Sequence, residues 1–65
     1  MNNNLNIEKA VLSSIFFDGD NLYTAKELLA PKDFYFPAHQ KIYDAMLKLH
    51  NEDMPIDEDF IQKEI

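Results

Sequence analysis

The sequence predicts a small all-α domain of four helices, and three observations carry that reading. Apolar residues recur at helical rather than alternating spacing in successive stretches. The three prolines and the single glycine fall between those stretches or at their starts, where helices begin and end. The chain has only 65 residues, yet 46% are hydrophobic, including five Phe and three Tyr, which lies above the range of disordered acidic tails and leaves no room for two domains. A unit this short buries only about 60% of its unfolded surface, so its stability is marginal.

Each element follows from local signals. Residues 1–5 are an Asn-rich start expected to fray, and periodicity begins at Ile7. Ile7, Val11 and Ile15, flanked by Ala10, Leu12 and Phe16, predict the buried face of a first helix over 6–17, capped by Asn4 or Asn6. Gly19 is placed to end it in a left-handed conformation, and Asp20 to cap a second helix over 21–29, with Leu22, Ala25, Leu28 and Leu29 as its stripe. Pro31 forces Ala30 out of the helical region. The segment from Pro31 to Pro37 carries three consecutive aromatics, Phe34, Tyr35 and Phe36, and predicts a compact turn with at least two rings in the core and one partly exposed.

Pro37 suits a first helical turn, and Ala38, Ile42, Ala45, Met46 and Leu49 predict the face of a central helix over 37–50, widened by Tyr43 and Leu47. Gln40, Lys41, Asp44 and Lys48 decorate its opposite side. Asp57 reads as the N-cap of a fourth helix from 58, with Ile56 and Ile61 at the spacing of a hydrophobic staple. That helix is still running at Ile65, which predicts a chain that continues.

Charge and composition exclude several functions. All six cations are lysines and the net charge is −6. Without arginine, bidentate phosphate or base-edge contacts are not expected, which argues against direct nucleic-acid binding. The acidity is local: residues 52–65 hold six acids and one lysine, against six acids and five lysines in residues 1–51. It reads as a solvated helix start or as a docking face for a basic partner. The chain lacks cysteine, which suits a reducing cytoplasm, and has no leader-like or membrane-spanning apolar run.

No chemistry-bearing motif stands out. One glycine is too few for a phosphate-cradling loop. His39 and His50 lie about 16 Å apart along one predicted helix, too far to share a metal. His39 is expected on the helix surface or in its N-terminal turn, and His50 beside the helix C-terminus. Asp18-Gly19-Asp20 and Asp57-Glu58-Asp59 lack the spacing of a calcium loop, and Ser13 and Ser14 have no base in view. Neither catalytic, cofactor-binding nor metal-ligating residues are expected. The candidates for a partner interface are the exposed members of Phe34, Tyr35 and Phe36, and the acidic group Asp53, Asp57, Glu58 and Asp59.

Three segments carry a resemblance: Asn6-Ile7-Glu8-Lys9-Ala10-Val11-Leu12-Ser13-Ser14-Ile15; Asp33-Phe34-Tyr35-Phe36-Pro37-Ala38-His39-Gln40-Lys41-Ile42-Tyr43-Asp44-Ala45-Met46; and Pro55-Ile56-Asp57. In order and spacing they resemble the start of bacterial replicative DNA helicases of the DnaB type, over residues 6–65. Ser13 and Ser14 depart from the pattern, standing where relatives often carry glycine. The resemblance implies an all-helical N-terminal domain, of which this chain is the globular head without the helical hairpin that follows. It further implies association with other N-terminal domains in a collar on a hexameric ring, docking of primase and helicase loader, and ATP and magnesium confined to a separate motor domain. The competing expectation is a free-standing acidic helical protein acting as a DNA mimic or inhibitor. A small metal-assisted enzyme has only scattered Asp and His in its favour.

Overall fold

The computed structural model describes residues 4–65. The chain forms α1 (Leu5–Phe17), α2 (Asn21–Leu28), a single 3-10 turn (Pro31–Asp33), α3 (Pro37–Asn51) and α4 (Glu58–Glu64), with no strand among the described residues. Of the start expected to fray, residues 1–3 lie outside the described residues. Leu5 is the first residue of α1 and Asn4 its cap: the Asn4 side-chain oxygen accepts the Ile7 N–H at 3.1 Å, and the helix begins one residue before the expected start at 6.

α3 is the centre and packs on α1, α2, α4 and the 3-10 turn. Its Tyr43, Met46 and Leu49 are almost wholly enclosed and meet Leu12 and Ile15 of α1, Leu22 of α2, and Ile61 of α4 in one cluster. Enclosing an aliphatic side chain of this size contributes about 1.5–3 kcal/mol. Tyr43 carries its hydroxyl into this core and donates it to the Leu29 carbonyl at 2.9 Å, tying down the end of α2. Burial, and then the nearby charge of Asp33, push its phenol pKa above the ordinary 10.0.

The buried faces of α1 and α3 keep the later members that the apolar pattern predicts, Leu12 and Ile15, and Ala45, Met46 and Leu49, but differ at their starts. In α1 the enclosed row is Glu8, Leu12 and Ile15, while Ile7 is half in solvent. In α3 the row starts at His39 rather than Ala38, which is exposed. A carboxylate and an imidazole therefore occupy places expected for aliphatic groups.

The helix ends also differ in detail. α1 stops as Asp18 turns extended, and Gly19 does not adopt a left-handed conformation. Asp20 makes no side-chain cap. Instead the Asp18 carboxylate accepts the Asp20 N–H at 3.0 Å, and the Asp18 carbonyl accepts that of Asn21 at 2.9 Å. The left-handed residue is Asp53, with φ 56°. The Asp53 N–H reaches the His50 carbonyl at 3.2 Å and the Met54 N–H reaches that of Leu49 at 2.9 Å, the paired bonds of a Schellman ending in which Asp takes the usual glycine position.

α2 ends as expected, with Leu29 and Ala30 extended ahead of Pro31. Asp33 then closes the 3-10 turn, its carboxylate accepting the Ala30 N–H at 2.7 Å. Pro37 opens α3, and the Asp57 carboxylate caps α4 through the Phe60 N–H at 3.0 Å. Ile61 enters the core with Ile56 packed against it.

Because Gly19 has no positive φ and a β-carbon there would meet only the Ile56 Cδ1 at 3.9 Å, Gly19→Ala is expected to be neutral or to stabilise by about 0.4–1 kcal/mol, through a less flexible unfolded chain. A thermal melt followed by circular dichroism checks this, and a clearly lower midpoint would contradict it.

Candidate functional site

The aromatic connector between the 3-10 turn and α3 is held by groups from both neighbouring helices. Phe34 points inward, 1% exposed, with its ring centre 4.9 Å from that of Tyr43. Its carbonyl accepts the Gln40 side-chain amide at 2.6 Å, so Gln40, expected to face solvent, is a brace. Phe36 is half-buried in an edge contact with the His39 ring at 5.5 Å, rather than in the core. Tyr35 is left 59% exposed, its ring set edge-on to Phe36 at 5.1 Å.

Beneath the connector sits Glu8, with no exposed surface. One carboxylate oxygen accepts the Tyr35 N–H at 2.6 Å; the other accepts the His39 Nδ1 at 2.7 Å and, more weakly, the Phe36 N–H at 3.4 Å. A carboxylate acceptor requires the proton on Nδ1, which fixes how the His39 ring is bound. Burial by itself pushes the Glu8 carboxyl pKa up, but the Tyr35 N–H, the His39 ring and the Phe36 N–H outweigh it and hold the group below its ordinary 4.5. His39 does lie in the first turn of α3, one of the two places expected for it, but it is buried there rather than on the surface. Its nitrogen is satisfied by a carboxylate from another helix, which removes the penalty that would keep it in water.

His50 does lie in the last turn of α3, but its ring is engaged by α2: Lys26 Nζ stands 3.2 Å from Nε2, and Tyr23 packs edge-on at 4.7 Å.

Asp53, Asp57, Glu58 and Asp59 are all exposed. They follow the C-terminal end of α3, whereas the aromatic connector precedes its N-terminal end; the 15-residue helix between spans about 22 Å. The two groups of candidate interface residues therefore occupy separate ends of the molecule. Gly19 lies beside Ile56, which brings the exposed Asp18 and Asp20 toward the acidic end, a grouping the linear sequence does not display.

Among the described residues no three His, Asp or Glu side chains are grouped as metal ligands, and no helix is long and apolar enough to cross a membrane. Glu8 and His39 are the residues that sequence reasoning missed. Each heads a row whose other members are buried hydrophobic residues, at identical 0, +4, +7 spacing: Glu8, Leu12, Ile15 and His39, Tyr43, Met46. That repeated spacing was the available signal.

The fold and its buried polar clasp define a small helical domain whose ionisable core residues organise a displayed connector. The model of the DnaB-like helicase N-terminal domain family matches residues 1–65, and the chain belongs to that family. It is 42% identical over 60 residues to the replicative DNA helicase DnaB of Helicobacter pylori, covering 92% of this chain and 12% of that protein. It is 48% identical over 50 residues to the replicative DNA helicase DnaB of Geobacillus stearothermophilus, covering 77% and 11%. It is also 48% identical over 54 residues to the replicative DNA helicase DnaC of Bacillus subtilis, covering 83% and 12%. The chain thus spans about an eighth of the length of these relatives. No solved structure matches it. The two longer segments of the resemblance noted in the sequence meet in space at Glu8 and His39.

Proposed function

We propose that this chain is a non-catalytic assembly and docking domain of a replicative hexameric DNA helicase. Residues 6–65 form the head of its N-terminal domain, contribute to the collar that organises the ring, and serve the docking of primase or loader during DNA replication in the cytoplasm. ATP and magnesium act in a motor domain outside these residues, and the head grips no nucleic acid itself, its cations being lysines without arginine.

The observation that carries this reading is Tyr35, a large aromatic side chain displayed to solvent on a connector whose own backbone is fastened from beneath. Rigid, amphipathic aromatics of this kind are enriched among residues that dominate protein interfaces. Membership of a helicase N-terminal family supports the choice of replication proteins as partners. Asp53, Asp57, Glu58 and Asp59 supply a second face, suited to a basic partner, at the other end of α3.

Calorimetry with the helicase-binding domain of the primase from the same genome, and sedimentation for association with a second copy, test this. Tyr35→Ala is expected to weaken at least one association by about tenfold or more while the melting midpoint stays nearly unchanged. A Glu58→Lys, Asp59→Lys variant should weaken any association that falls with added salt. Equal affinity for wild type and both variants would contradict the reading.

A further inference from the structure

Most of the buried polar capacity of this small domain is spent in one place. The Glu8 carboxylate crosses from α1 to receive two backbone N–H groups of the connector and the first buried side chain of α3. Gln40 completes the enclosure by holding the Phe34 carbonyl, so side chains add to the backbone bonds that Phe34 makes to Pro31 and that the Phe36 carbonyl receives from the first turn of α3, and the Tyr35 N–H itself is held by Glu8. Nothing in α1 requires a carboxylate at this position, because the helix is capped by Asn4 and its hydrophobic contacts are made by Leu12 and Ile15.

We propose that Glu8, steadied by His39, is the positioning residue of the Tyr35 surface: it latches residues 35–36 so that the exposed ring is offered to a protein partner in a single pose. The inference rests on the reading of Tyr35 as an interface residue. Its physical content is that the connector is ordered before binding, so that the cost of immobilising it does not fall on the association. Phe36 transmits the setting, because its ring makes edge contacts with both the His39 and the Tyr35 rings. The latch is local. Glu8→Gln retains the size of the side chain and one acceptor, but it sets an amide N–H against donors and frees one of the connector's contacts.

Amide hydrogen exchange measured by NMR on wild type, Glu8→Gln, Tyr35→Ala and the double variant separates the possibilities, with sedimentation for self-association and calorimetry with the helicase-binding domain of the primase as the binding readouts. In Glu8→Gln the Tyr35 and Phe36 amides are expected to accelerate at least about tenfold more than those of Tyr43 and Met46, whose smaller acceleration reports only the loss of global stability, the mark of a local opening added to it. Association that depends on Tyr35 should weaken by roughly tenfold, and adding Tyr35→Ala to Glu8→Gln should cost little more. Acceleration of core and connector by the same factor would overturn the proposal, leaving Glu8 as a structural residue only. So would a loosened connector with unchanged association in a chain whose association Tyr35→Ala does weaken. Should Tyr35→Ala leave both self-association and binding of the primase domain untouched, the interface reading fails, and with it the positioning role, whatever the exchange shows. If Glu8→Gln does not fold, His39→Gln, which keeps the carboxylate and both backbone contacts, is read by the same criteria, with a smaller acceleration expected.

Discussion

Replacing Phe34 with alanine is expected to leave most of the chain unfolded at 25 °C, whereas the same change at the adjacent Tyr35 leaves it folded. Phe34 is 1% exposed and packs on Tyr43, the side chain at the middle of the central helix. Truncating a buried Phe costs about 3–5 kcal/mol through lost transfer energy and the cavity left behind. A single core in a chain of this size rarely supplies more than about 3–5 kcal/mol of total stability, so the loss is comparable to everything available. The 3-10 turn that Phe34 anchors has no other enclosed side chain of its own. Tyr35 is more than half in solvent, and its backbone N–H, which Glu8 holds, survives truncation. Urea unfolding of the two variants side by side checks the contrast. Matching midpoints would mean that the connector does not pack as described.

The second large effect falls on Glu8. Glu8→Ala removes the acceptor for two backbone N–H groups and for His39 at one stroke, in a site without water-exposed surface. Donors left unsatisfied in the interior are costly, and breaking a buried pair from one side is among the most damaging single changes. A fall in melting midpoint on the order of 10–20 °C is expected for a domain this small. The same carboxylate sets the acid response. Its folded pKa lies below the ordinary 4.5, so the folded state prefers the ionised form more than the unfolded chain does. The stabilisation is therefore complete above about pH 4.5 and is lost as pH falls through the depressed folded value. Glu8→Gln should start less stable at neutral pH and lose stability less steeply on acidification. An acid limb of unchanged slope would show that other carboxylates dominate it.

Much of the fold was legible because the signals that define it are local. Apolar spacing located α1 to α4 within a residue or so, Pro31 and Pro37 marked where α2 stops and α3 starts, and Asp57 declared the cap of α4. Where the reading failed, the controlling contact was distant in sequence. Glu8 and His39 are separated by 31 residues, and each taken alone is a polar residue that belongs in water. Only as a pair do they become acceptable inside, which is why the first buried place of α1 and of α3 falls one residue after the expected Ile7 and Ala38, while Leu12, Ile15, Ala45, Met46 and Leu49 lie in the core as their spacing predicts. Gly19 was credited with a left-handed ending on residue type alone, while the actual left-handed position is occupied by Asp53.

The candidate interface was legible in part for the same reason. Three aromatics in one connector marked it as unusual, and the acidic run before α4 was visible in the composition. Which ring would remain outside depended on the clasp beneath it, and the separation of the two groups depended on the length and direction of α3. Neither is written in the connector itself.

The most direct test of an assembly domain displaying Tyr35 is an NMR titration of the isotopically labelled chain with the helicase-binding domain of the primase from its own genome, and with unlabelled copies of itself. Shift changes should concentrate at Tyr35, Phe36 and their immediate neighbours for at least one of these, and vanish in Tyr35→Ala. Changes confined to the surface between α1 and α2, or no change with either titrant, would contradict the account.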